Sequence, residues 1–202
     1  MRAVAYIDLG ILEENYKTIR ARVPHNVKVL CVVKADAYGH GAVQVSRRLE
    51  ENGVDYLGVA NIDEGMELRQ NGIKCPILVM GGILPWDPED AFYEYDLAPV
   101  IYDAGMIEKL ERKGSRSGKT LKVHIKVDTG MGRLGVPLSL WPNFLKELPH
   151  FPKVEVEGIL SHFSMMSEED YTKHQWEQFL GAVKCAEELG IRCKYLHMAS
   201  SA

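Results

Sequence analysis

Lys34 has the most chemically suggestive setting in this chain. It closes the apolar run Val29-Leu30-Cys31-Val32-Val33, and Ala35-Asp36-Ala37-Tyr38-Gly39-His40-Gly41 follows as a polar, glycine-rich turn. The run is short, rich in β-branched residues and bounded by turn formers, which predicts a buried strand. An ammonium at the mouth of such a strand loses hydration, and desolvation favours the neutral, nucleophilic amine. A lysine needs that state to form a Schiff base. The plainer alternative is a lysine that snorkels to solvent from a strand end.

The second chemistry-bearing stretch is Lys126-Val127-Asp128-Thr129-Gly130-Met131-Gly132-Arg133-Leu134-Gly135. Its last six residues spell G-x-G-x-x-G after a predicted strand, the pattern of a dinucleotide-binding loop. Two features oppose that reading. Pro137 interrupts the helix whose N-terminus would hold the pyrophosphate. The preceding strand also alternates Leu121, Val123, Ile125 and Val127 with Lys122, His124, Lys126 and Asp128. A strand covered by helices on both faces should be apolar throughout, whereas a polar face suits a barrel interior near a charged ligand. Two further stretches end predicted strands: Ser161-His162-Phe163 and His197-Met198-Ala199-Ser200-Ser201-Ala202. The histidines form no H-E-x-x-H pattern and the cysteines no C-x-x-C pair, so no metal site is expected.

These residues need a scaffold of alternating elements. Strands are predicted at 29–34, 56–60, 77–80, 98–101, 121–128, 156–162 and 195–198. Helices are predicted at 42–52, 62–71, 87–94, 103–113, 139–148 and 170–189. Asn61 followed by Glu64 reads as a capping box, and Gly72 and Gly190 as left-handed helix C-caps. Strand–helix alternation argues for parallel β/α units, and seven such strands fall one short of a closed (β/α)8 barrel.

Composition limits the partners. A net charge of −4 offers no basic footprint for nucleic acid or an anionic membrane. No apolar run is long enough to span a bilayer, and the N-terminus lacks the layout of a signal peptide. A cytoplasmic location is expected, with Cys31 a reduced, buried thiol.

The string Val32-Val33-Lys34-Ala35-Asp36-Ala37-Tyr38-Gly39-His40-Gly41 resembles the lysine motif of the alanine racemase family. Residues 126–135 resemble its second signature, and His197–Ala202 its H-x-A-N-S-A segment, with Ser200 where asparagine is usual. The resemblance implies a fold-type III enzyme on a TIM-like (β/α)8 barrel, here truncated after about seven strands. Residues 1–202 would form the incomplete N-terminal barrel domain of a longer protein, without its C-terminal β domain.

It further implies pyridoxal 5'-phosphate as cofactor, held by Lys34 as a Schiff base. Tyr38 and Ser201 would bind its phosphate, Arg133 its phenolic oxygen, and His162 would pack against its ring. Lys126 would be carbamylated and orient Arg133. The implied reaction interconverts L- and D-alanine for peptidoglycan. Lys34 would serve one face of the substrate, and a tyrosine of the partner subunit in a homodimer the other. Two alternatives remain at this point: a related racemase for another amino acid, and a non-catalytic carrier of the same cofactor.

Overall fold

The computed structural model describes residues 3–200. The chain forms two compact units, one of residues 3–81 with 94–97, the other of 82–93 with 98–200.

In the first unit, α1 (Leu9–Arg22) starts at Asp8, whose carboxylate accepts from the N–H groups of Gly10 and Ile11 at 2.8 and 3.1 Å. The sequence reading assigned no element here. Leu9, Leu12, Tyr16 and Ile19 recur at helical spacing, but only Tyr16 of this helix is buried. Strands β1 (Leu30–Val32), β2 (Tyr56–Val59) and β3 (Ile77–Val79) lie parallel, with Cys31 opposite Leu57 and Leu57 opposite Ile77. Between them run the turn α2 (Lys34–Gly39) and the helices α3 (Ala42–Glu51) and α4 (Ile62–Gln70). Gly72 has the left-handed conformation expected after α4. Arg69 binds residues 94–97 to this unit by donating to the carbonyls of Tyr95 and Asp96, and also to those of Ile73 and Cys75.

The predicted strand 29–34 is shorter than expected. It ends at Val32, and the chain turns into α2 at Lys34. Ala35, Asp36, Ala37 and Tyr38 all have φ between +51° and +56°, so α2 is a left-handed helical turn in which four successive non-glycine residues precede Gly39. Each such residue costs about 1–2 kcal/mol. Local bonds hold the turn: Ala37 N–H to Val33 O (2.9 Å), Gly41 N–H to Asp36 O (2.9 Å), and Ala42 N–H to the Asp36 carboxylate (2.6 Å).

In the second unit, apart from residues 94–97, α5 (Glu89–Glu94) precedes β4 (Leu97–Ile101), and α6 (Ala104–Ser117) leads into β5 (Leu121–Asp128). The two-residue β6 (Val136–Pro137) pairs with the end of β5. Helix α7 (Trp141–Glu147), β7 (Val154–His162), α8 (Glu169–Glu188) and β8 (Tyr195–Ala199) complete the order. Strands β4, β5, β7 and β8 lie side by side, each pair parallel. Trp141 anchors α7 to α8 by donating its indole N–H to Ala182 O at 2.9 Å, inside the core. All seven predicted strands are present, and β5 has the predicted bounds.

The middle of the polar face of β5 is buried, with His124 only 1% exposed and Lys126 7%, whereas Lys122 at its start is exposed. His124 Nδ1 lies 2.8 Å from His197 Nε2 of β8, in a hydrogen bond for which one ring supplies the proton. Its Nε2 lies 3.6 Å from buried Glu157 of β7, which also meets Lys122 Nζ at 3.2 Å. Burial pushes the His124 imidazole down to about 4. Burial and the neighbouring His124 push His197 down to about 3. Both rings are therefore neutral near neutral pH, and the His124–Glu157 approach is a polar contact there, not an ion pair.

Candidate functional site

Reactive side chains collect at the C-terminal ends of strands in each unit. In the first, Lys34 follows β1 directly and is half-buried, while Tyr38 is 58% exposed. The lysine at the strand mouth is thus withdrawn from solvent only in part, at the first position of the left-handed turn. Glu64 supports this turn from α4. Its carboxylate accepts from Ala35 N–H at 2.9 Å and from Ala60 N–H at 2.7 Å. Only half of the predicted capping box forms: Asn61 accepts from Glu64 N–H at 3.0 Å, and the Glu64 carboxylate braces the residue after Lys34 instead.

In the second unit, the glycine string after β5 leads into β6 rather than a helix, so the dinucleotide reading fails on geometry as well. Each glycine has its own physical reason. Gly130 has φ +124°, and a Cβ there would come within 2.5 Å of the Tyr171 hydroxyl. Gly132 has φ +69° and donates its N–H to the Asp128 carboxylate, which also accepts from Gly130 N–H at 3.0 Å. Gly135 has φ +128°, and a Cβ would stand 2.7 Å from the backbone N of Asp128, so only glycine lets the chain return beside β5.

This loop carries Arg133, which is exposed. Lys126 is buried beneath it, and its ammonium is held below the ordinary lysine range by burial first and then by the Arg133 charge, against the pull of Asp128. At the end of β7, His162 is half-buried. Its neighbour Ser161 joins β7 to β5. The Ser161 hydroxyl donates to Val127 O at 2.9 Å and therefore accepts from the Thr129 hydroxyl at 2.8 Å. Lys126, Arg133 and His162 thus share the second unit, and Lys34 and Tyr38 the first. Ser201 lies outside the described residues.

Sequence reasoning missed Glu64 as a support of the lysine turn, and also Tyr171 and Gln175 on α8. Their i, i+4 spacing on a helix was legible, but no motif linked them to a distant loop. Among the described residues there is no metal-holding cluster, and no helix is long and apolar enough to cross a membrane.

Parallel β/α units with ionisable side chains at their C-terminal strand ends define a class, the barrel-type α/β proteins that place their chemistry at that rim. The profile of the alanine racemase N-terminal domain matches residues 7–202. The chain belongs to that family. It is 42% identical to the alanine racemase of Citrifermentans bemidjiense, over 98% of this chain and 54% of that protein. It is 38% identical to alanine racemase 1 of Caldanaerobacter subterraneus subsp. tengcongensis, over 100% of this chain and 52% of the relative. Among solved structures, the alanine racemase of a D-cycloserine-producing Streptomyces lavendulae matches with a TM-score of 0.90 at 30% identity, covering 96% of this chain and 51% of that one. The Bacillus anthracis alanine racemase with bound L-Ala-P matches with 0.86 at 33%, covering 98% and 53%. The fold class is therefore the expected one, the parallel β/α units of a TIM-like barrel. The chain spans about half the length of the curated relatives it matches.

Proposed function

We propose that residues 1–202 are the cofactor-binding barrel portion of a pyridoxal-phosphate-dependent alanine racemase, a cytoplasmic homodimer in its complete form. The observation that carries this reading is Lys34, placed by a strained left-handed turn at the end of β1 within a chain of this family. The donor set fits the cofactor chemically. A primary amine at a strand end suits its aldehyde, and a permanently charged guanidinium suits its phenolic oxygen. When bound, pyridoxal 5'-phosphate supplies an electron sink that acidifies the Cα–H of an attached amino acid.

The chain's own residues divide the remaining work. Lys34 would hold the cofactor covalently and, once released, would move a proton at Cα on one face of the substrate. Tyr38 and Ser201 would donate hydroxyls to the phosphate, Arg133 would donate to the phenolic oxygen, and His162 would pack along the ring. Burial leaves Lys126 a larger neutral fraction, and this free amine adds to carbon dioxide, releasing a proton. The resulting carbamate anion would attract the Arg133 guanidinium, whose charge already acts on Lys126, and orient it. The acid–base group for the opposite face comes from the partner subunit, so L/D exchange of alanine belongs to the complete dimer.

The test is α-hydrogen exchange in deuterated water, run on the chain within its full-length protein with alanine, serine and lysine. Exchange into both alanine enantiomers, with the other two slower, is the expected result. Cofactor uptake without exchange would instead make the protein a carrier. Faster exchange with serine or lysine would make it a racemase of that amino acid.

A further inference from the structure

Two side chains one turn apart on α8 touch the two segments that carry Arg133 and His162. The Tyr171 hydroxyl donates to Gly130 O at 2.7 Å, three residues before Arg133. Gln175, wholly buried, accepts from the N–H and hydroxyl of Ser164 at 3.0 and 3.1 Å, and donates its amide to His162 O at 3.3 Å. Both contacts require close approach. At Gly130 a Cβ would stand within 2.5 Å of the Tyr171 hydroxyl, and at Gln175 a single amide satisfies three polar groups at the end of β7 and just beyond it. The helix behind them is well anchored, since Phe179, Ala182, Val183 and Ala186 are buried and Ala182 O accepts from the Trp141 indole.

We propose that Tyr171 and Gln175 are positioning residues, which make α8 a brace that fixes the arginine loop and the histidine strand end against one another. The assignment of Arg133 and His162 to the cofactor rests on the function proposed above, whereas the brace itself rests on these contacts. The loop between 129 and 135 has no regular secondary structure of its own. Asp128 holds it from the strand side and Tyr171 from the helix side. Removing the second hold frees the loop without disturbing β5.

Hydrogen–deuterium exchange on the full chain without cofactor tests the brace. In Tyr171→Phe, amides of 129–135 should exchange about fivefold faster while β5 and β7 stay protected. Gln175→Met should do the same for 162–165. Tyr93→Phe is the control: it loses a comparable bond, the 2.7 Å donation to Leu110 O, at a place unconnected to either loop. If Gln175→Met does not fold, Tyr171→Phe still decides the matter. Unchanged exchange at 129–135 in Tyr171→Phe, or equal changes there in Tyr93→Phe, would overturn the brace.

A spectroscopic arm tests its connection to the cofactor. With pyridoxal 5'-phosphate bound, Tyr171→Phe should shift the pH dependence of the visible absorbance and Tyr93→Phe should not. A spectrum unmoved in Tyr171→Phe would overturn the positioning role. A wild-type chain that takes up no cofactor would sink the function proposed above and leave the exchange experiment to judge the brace.

Discussion

At Lys34 the backbone conformation sets up the chemistry. Four consecutive non-glycine residues in left-handed geometry are an expensive way to leave a strand, and such strain persists only where the surroundings enforce it. Glu64, Asp36 and the Val33 carbonyl provide that enforcement here. Ala35→Gly removes the Cβ penalty while keeping the N–H that Glu64 accepts. It should stabilise the protein by about 1 kcal/mol in urea unfolding, offset in part by the extra freedom of glycine when unfolded. A lower midpoint would mean that the turn stores no strain. The lysine and its neighbours were legible as residue types in a strand-end setting. The turn's handedness was not, because alanine and tyrosine ordinarily avoid positive φ and carry no signal for it.

At the scale of elements, the string from Gly130 to Gly135 is where pattern and geometry part company. Its spelling suggests a phosphate-gripping loop, yet its glycines serve a tyrosine hydroxyl, a carboxylate and the backbone of β5. Gly135→Ala puts a methyl group against Asp128 N at a left-handed position. It should cost about 2–4 kcal/mol and open the β5–β6 pairing to proteolysis near 136. A wild-type unfolding midpoint and digestion pattern would contradict this account. The alternation of β5 marked it as a strand, because a period of two is a property of any strand, and His124 and Lys126 of its polar side are buried while Lys122 is not. Helix α1 was missed although Asp8 caps it and Leu9, Leu12, Tyr16 and Ile19 recur at helical spacing, a pattern that Ile11 and the many polar residues around it blur. Tyr171 and Gln175 were equally hidden, because their partners lie on other elements and sequence spacing does not encode such contacts.

At the scale of the molecule, buried neutral histidines tie stability to pH. In the unfolded chain His124 and His197 titrate near their ordinary value of 6.5, whereas in the fold they resist protonation down to about 4 and about 3. Between those limits the unfolded state binds more protons, so stability is fully present above pH 6.5 and declines as the pH falls toward 4. Glu157, Lys122, Lys194 and Tyr195 face the pair, and the Glu157 carboxylate opposes the shift of His124 without cancelling it. The loss attributable to His124 is on the order of 3 kcal/mol. Urea midpoints across this range should slope steeply for wild type and less for a His124→Gln, His197→Gln double variant. Parallel slopes would remove the histidines from the account. The central claim is that Lys34 holds the cofactor. Its most direct test is to incubate the protein with pyridoxal 5'-phosphate, reduce with borohydride and map the modified peptide by mass spectrometry. One phosphopyridoxyl group on Lys34, absent in Lys34→Ala, is the predicted result. Label spread over exposed lysines such as Lys17 and Lys184, with none favoured at Lys34, would contradict it.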